Sequence, residues 1–246
     1  MEYWIVAGLA AYLMGLSKGG VPMIAILAVP LMSLFMDPAQ AAGLLLPIYI
    51  VADAYAVYLF RKAFSVRNLK ILMPGAIAGI LLGYVAVAHV SGDLVKLLVA
   101  AVGFLYLANA LRGRLSKGDV PAKPADIPRG IFWGTLTGLT SYISHAGGPP
   151  YQAYVLPQRL DKMVYLGTTT ILFSAINLMK VPPFIIAGQI TWDSFTQAIW
   201  LAPMALAGAW SGATVSKILS ERMFYLLVEI ALGLVSFKLL YEVIFG

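Results

Sequence analysis

The chain has 246 residues, of which 61% are apolar and 11% charged, with a net charge of +6 and no cysteine. A soluble domain carries about a quarter charged residues, so this composition belongs in a bilayer, and it excludes disulfides, thiolate metal sites and cysteine chemistry. The cations fall in short loops between apolar runs, which excludes a nucleic-acid surface and marks them as topology signals.

Residues 3–36 are an apolar region that Ser17, Lys18, Gly19, Gly20, Val21 and Pro22 split into pieces of about 9–16 residues. Such pieces are too short for a full crossing and suit a broken or re-entrant helical hairpin. Only Glu2 precedes Lys18 among the charges, so the start is read as mature structure and not as a secretory signal. Three spans follow at 39–60, 70–90 and 94–111, each near the ~20 residues that cross the hydrocarbon core. Gly75, Gly79 and Gly83 in the second let helix backbones approach closely. Residues 113–128, with Lys117, Gly118, Asp119, Pro121, Pro124 and Pro128, read as a polar linker. A second hairpin region, 129–157, is split by the run from Ser144 to Pro150, and spans follow at 164–186, 195–215 and 223–245. Tyr3, Trp4, Trp192, Tyr241 and His89 sit near segment ends, as interfacial anchors do.

The second half restates the first. Gly19-Gly20 and Gly147-Gly148 lie 128 residues apart. Gly43 and Asp53 match Gly167 and Asn177 at 124; Pro74, Gly79 and Gly83 match Pro203, Gly208 and Gly212 at 129. Ordered matches of this kind imply duplication, with residues 1–112 as one repeat and 129–246 as the other. Thirteen of the 17 Lys and Arg fall in four alternate loops, which puts those loops in the cytoplasm and both termini outside. Each repeat then holds an odd number of full crossings, so the second copy is inverted. The expected fold is an all-α polytopic membrane protein of two inverted repeats, each a broken hairpin plus three transmembrane helices.

Helix breaks at membrane depth leave backbone groups unpaired and are tolerated where protein or a water-filled cavity surrounds them. Two such tips, Lys18 to Pro22 and Ser144 to Pro150, would offer amide N–H groups and helix N-termini to an anion. The expected substrate-binding residues are Lys18, Gly19, Gly20, Pro22, Ser144, His145, Gly147, Gly148, Pro149, Gln152 and Asn177. Lys18 and His145 supply side-chain donors. Each has a bland counterpart: the tips could only turn a hairpin, Lys18 could snorkel to the outer surface, and His145 could be an ordinary packing residue. Asp53, a carboxylate inside a span, is a functional candidate by default. It would neutralise Lys18 or carry a coupling proton, a role His145 shares, unless it faces a shallow vestibule. No metal-ligand cluster, phosphate loop or nucleophile elbow is present in the sequence, so neither an enzyme nor an ATP-driven pump is expected. No cofactor is expected, and the partners are a small anion, a coupled proton and lipid, with no nucleic acid.

Lys18-Gly19-Gly20-Val21-Pro22 and His145-Ala146-Gly147-Gly148-Pro149-Pro150, with the duplicated halves and the basic central loop, resemble the sulfite exporter TauE/SafE family of membrane permeases over nearly the whole chain. The resemblance implies a multi-pass protein of the bacterial inner membrane that moves small, often sulfur-containing anions such as sulfite, thiosulfate or sulfoacetate. The function expected is a secondary transporter working by alternating access. A passive anion channel is the nearest alternative, and a membrane-embedded enzyme a more distant one.

Overall fold

Proline and glycine set many of the helix boundaries. In the computed structural model the described residues are 1–21, 24–86, 91–115 and 122–245; Pro22, His89 and linker residues 116–121 lie outside them. Every regular element among them is helical. In chain order these are α1 (Glu2–Lys18), a 3-10 turn (Ile24–Leu27), α2 (Ala28–Met32), α3 (Pro38–Phe60), α4 (Val66–Ala86), α5 (Gly92–Leu115), α6 (Ile127–Ser144), α7 (Gly148–Val155), a second 3-10 turn (Leu156–Gln158), α8 (Lys162–Ile186), α9 (Trp192–Ile218) and α10 (Glu221–Phe245).

Among the described residues, five helices are long and apolar enough to cross a membrane: α3 from Gln40, α4, α8, α9 and α10. The 24-residue α5 covers the remaining expected span at 94–111. The interrupted regions are broken hairpins, as their composition requires. α1 stops where Gly20 takes a positive φ of 114°, with Gly20 N–H donating to Ser17 O and Val21 N–H to Leu16 O, a closure that only glycine adopts without strain. α6 stops at His145, which takes the left-handed conformation at φ 53°. The chain is an all-α polytopic membrane protein.

By packing, the chain divides into two compact units, each drawing on both halves of the sequence: residues 1–64 with 166–228, and 65–165 with 229–246. In the first, α1 crosses α9 through glycines. A Cβ on Gly15 would meet the Ala205 carbonyl, one on Gly208 the Tyr12 carbonyl, and one on Gly212 the Leu16 carbonyl. Between helices in lipid there is little hydrophobic drive, so close backbone approach of this kind carries the association. Ala7, Ala10, Ala11, Met14, Leu45, Ile48, Ala52 and Ala205 pack into the buried core around that crossing.

The second unit repeats the device with α4 and α6. A Cβ on Gly79 would meet the Thr135 carbonyl, and one on Gly138 the Ala76 carbonyl. The start of α6 is held by Asp126, whose side chain accepts from Arg129 N–H at 2.8 Å, and the preceding segment is pinned by Arg67 donating to Ala125 O and Lys123 N–H to Pro157 O. α7 ends beside α4 through a reciprocal amide pair, Asn68 Nδ2 to Gln158 Oε1 at 2.9 Å and Gln158 Nε2 to Asn68 Oδ1 at 3.1 Å.

The two crossings share one register. Gly79 and Gly208 are 129 residues apart and face Thr135 and Tyr12, which are 123 apart. Lys18 therefore corresponds in packing to Ser141. The glycine-pair alignment at 128 matches the breaks, whereas the helices themselves match at 123, because α6 runs three residues further than α1 before it stops and two more residues, His145 and Ala146, precede its glycine pair.

Candidate functional site

α3 and α8 lie antiparallel in the first unit, in contact at three levels. A Cβ on Gly43, near the start of α3, would meet the Gln189 carbonyl just beyond the end of α8; a Cβ on Gly167, near the start of α8, would meet the Ala63 carbonyl just beyond α3. At mid-height, Asn177 Nδ2 donates to Asp53 Oδ2 at 2.6 Å. Asp53 and Asn177 are the positions the repeat makes equivalent.

The other carboxylate oxygen, Asp53 Oδ1, meets Lys18 Nζ at 2.6 Å, and the two side chains are only 4% and 12% exposed. Lys18 thus points inward, away from the snorkelling position its distance from the N-terminus allowed, and Asp53 is buried among side chains. The ammonium also lies over two rings, 5.2 Å from the centre of Tyr49 and 5.8 Å from that of Phe173, a cation–π arrangement whose value rises when water is excluded. Tyr49 and Phe173 are again 124 residues apart, the same spacing as Asp53 and Asn177. Tyr49 is held by its hydroxyl donating to Ala25 O at 3.3 Å, which fixes the re-entrant turn against α3.

Lys180, three residues beyond Asn177 on α8, is 0% exposed. Its Nζ lies 5.9 Å from the Phe184 ring, and it interacts electrostatically with Lys18 and Asp53. From sequence it counted with Lys96 among the cations of the loops that alternate with the basic ones, although the expected span 164–186 already contained it. The helix runs through Pro182 and Pro183 to Ile186, which leaves Lys180 inside the bundle. The signal that identifies it is a lone lysine within an apolar span. Asp53 is the one buried carboxylate among the described residues, and Lys18 is the cation it pairs with.

Gly19 and Gly20 are accounted for locally. A Cβ on Gly19 would meet the Ala209 carbonyl, and Gly20 takes the positive φ and packs on Ser216, whose hydroxyl donates to Gly19 O at 3.3 Å. Together they seat the end of α1 and aim Lys18. The following 3-10 turn and five-residue α2 are too short to present a helix N-terminus.

The remaining expected residues, Ser144, His145, Gly147, Gly148, Pro149 and Gln152, belong to the second unit. Ser144 donates to Thr140 O at 3.2 Å. The eight-residue α7 begins Gly148-Pro149-Pro150, and proline has no N–H, so this N-terminus offers fewer amides than an ordinary one. Gln152 is 3% exposed; its Nε2 lies 3.4 Å from the Tyr165 hydroxyl and its Oε1 has no hydrogen-bond partner among the described residues.

A helical membrane bundle with a charged cluster walled into its core, and broken hairpins beside its spans, is the architecture of a polytopic membrane transporter. The chain matches the Sulfite exporter TauE/SafE family over residues 4–239 and belongs to that family. Comparison with curated proteins and with solved structures gives no match.

Proposed function

We propose that the protein carries a small sulfur-containing anion across the bacterial inner membrane by alternating access, with Lys18, Asp53 and Asn177 at the centre of the site. The observation that carries this reading is a buried group of two lysines and one carboxylate. Charge in a bundle interior is expensive unless it is used, and the Lys18 ammonium suits an anion.

Asp53 is the resting counter-ion. An incoming anion competes with the carboxylate for the Lys18 ammonium, and a proton on Asp53 releases that ammonium while offsetting one of the anion's charges. The groups facing Asp53 are Lys18 from α1, Tyr49 from α3 and Asn177 and Lys180 from α8. Asn177 donates to the carboxylate and, with the carboxyl protonated, can turn its amide to the anion. His145, at the second break, is the other candidate for the proton. Gly19 and Gly20 shape the first break, and Ser144, Gly147, Gly148, Pro149 and Gln152, in the second unit, are the further candidates for contact with the anion.

Two inverted repeats support alternating access. Equivalent residues that touch one another, as Asp53 and Asn177 do, are what a two-fold axis between α3 and α8 produces, and within each unit the crossing of α1 with α9 has the same register as that of α4 with α6. The basic loops then face the cytoplasm.

Uptake of sulfite, thiosulfate and sulfoacetate into proteoliposomes, with and without an imposed pH gradient, tests the reading. Accumulation that follows the proton gradient and falls more than about tenfold in Lys18→Met and Asn177→Leu is expected, each tenfold being about 1.4 kcal/mol of lost interaction. Full uptake by correctly folded Lys18→Met would overturn the site, and flux that never exceeds equilibration would make the protein a channel.

A further inference from the structure

We propose that Gln152 is a specificity-determining residue whose side-chain carbonyl takes a hydrogen-bond donor carried by the transported anion, so that the cargo is a small oxyanion that also bears a hydroxyl. The inference rests on the anion-carrier reading and adds a second chemical feature that the cargo must show. Gln152 lies on α7 in the second unit and is 3% exposed. Its Nε2 reaches the Tyr165 hydroxyl at 3.4 Å, longer than the usual range for such a bond. Its Oε1 has no hydrogen-bond partner among the described residues.

The surroundings make that carbonyl an exception. Gln158, just beyond the end of α7, uses both ends of its amide: Oε1 accepts from Asn68, and Nε2 donates to Asn68 and to the Tyr154 carbonyl. The hydroxyls of Thr137, Thr140 and Ser144 on α6 donate to carbonyls one turn back in their own helix. The fold thus satisfies these polar groups where they only pack. A buried carbonyl left over costs free energy that a methionine of similar length would not, which marks it for use by a ligand. The ring of Tyr165, whose hydroxyl meets the amide, lies 6.0 Å from that of Tyr151, and both residues are 1% exposed, so the amide's partner is itself fixed in the core.

The chemistry of the spare atom sets what fits it. An amide carbonyl only accepts, so bare oxyanion oxygens give it nothing, whereas an O–H completes it. α7 carries no charged side chain; the cargo's charge is met by Lys18. The two contacts belong to different units and need not be made at once. An anion without the donor leaves the carbonyl unpaired, and a site built to bond a hydroxyl rejects the analogue that lacks it.

The test uses 2-hydroxyethanesulfonate and propanesulfonate, which share one charge and nearly one shape and differ by a hydroxyl in place of a methyl. Uptake of each, and of thiosulfate, is measured in proteoliposomes of the wild type and of Gln152→Met. Wild type is expected to favour the hydroxysulfonate by about tenfold or more, equivalent to about 1.4 kcal/mol. Gln152→Met is expected to lose that preference and to melt no lower than wild type. Equal uptake of the two sulfonates by wild type overturns the proposal and leaves the carrier reading standing. An amide turned end for end would give that result, since its NH2 would meet sulfonate oxygens common to both probes. A preference that survives in Gln152→Met overturns the proposal too, as does a variant that melts well below wild type, which would make the amide a packing bond. Thiosulfate uptake with neither sulfonate moved overturns the proposal alone, and no uptake of any of the three overturns both readings.

Discussion

Removing either member of the Lys18–Asp53 pair strands the other inside an apolar bundle, so single and double substitutions should not add. The two groups meet at 2.6 Å with little exposure, and breaking a buried pair from one side costs about 3–5 kcal/mol. Lys18 retains a little solvent access, which places its pair at the lower end of that range. Lys18→Met and Asp53→Asn should each destabilise the protein by about 3 kcal/mol, and the double variant by about 1–3 kcal/mol less than their sum. Denaturation in detergent measures the cycle; strict additivity would mean the pair contributes nothing as a pair. His145 gives a second residue-scale test. At φ 53° a Cβ is strained, so His145→Gly should be more stable than His145→Ala by about 1 kcal/mol, the reverse of the order at an ordinary helical site. Because both variants lack the imidazole, the difference isolates the backbone, and transport by the stable glycine variant then reports what the ring does.

Helix crossings test the same logic one level up. An exposed helical glycine changed to alanine gains up to about 1 kcal/mol. Gly79 and Gly208 should behave oppositely, since the added methyl would run into the carbonyls of Thr135 and Tyr12. Gly79→Ala and Gly208→Ala are each expected to lose about 1–3 kcal/mol or more, read as a lower melting temperature and a reduced folded fraction on gel filtration. Gly188, with open space around its Cα, makes a control whose only penalty is its positive φ. These glycines explain how much was legible. Their spacing gave the close approach, and apolar run lengths gave the spans to within a few residues, because both are local properties of the chain. Partners were not legible. That α1 crosses α9 and α6 crosses α4, each pairing a helix from one half with one from the other, depends on long-range packing that periodicity does not encode. The site divides the same way. Lys18, Asp53 and Asn177 stood out as polar residues in apolar runs, and the structure joins them. Lys180 was not singled out because it was counted with the cations that set topology, although it lies within the expected span 164–186, and the Tyr49–Phe173 cage was hidden because aromatic residues are common in any span.

At the scale of the molecule, antiparallel packing of α3 on α8 makes a demand on topology. The end of α3 lies by the start of α8 and the end of α8 by the start of α3, so the loop at 61–65 and the loop at 187–191 must open on opposite sides of the bilayer. Arg61 and Lys62 mark the first as cytoplasmic. α9 returns the chain to that side at Ser220, before α10 begins at Glu221. The natural chain has no cysteine, so single substitutions are clean reporters. Lys62→Cys and Ser220→Cys, both exposed, should react with a membrane-impermeant maleimide only in inside-out vesicles, and Gly188→Cys only in intact cells. Labelling of Lys62→Cys and Gly188→Cys from one side would contradict the antiparallel pair and remove the basis for inversion. The expected pattern, by contrast, is the one an inverted relation between the two halves requires, since such a relation exchanges inside for outside.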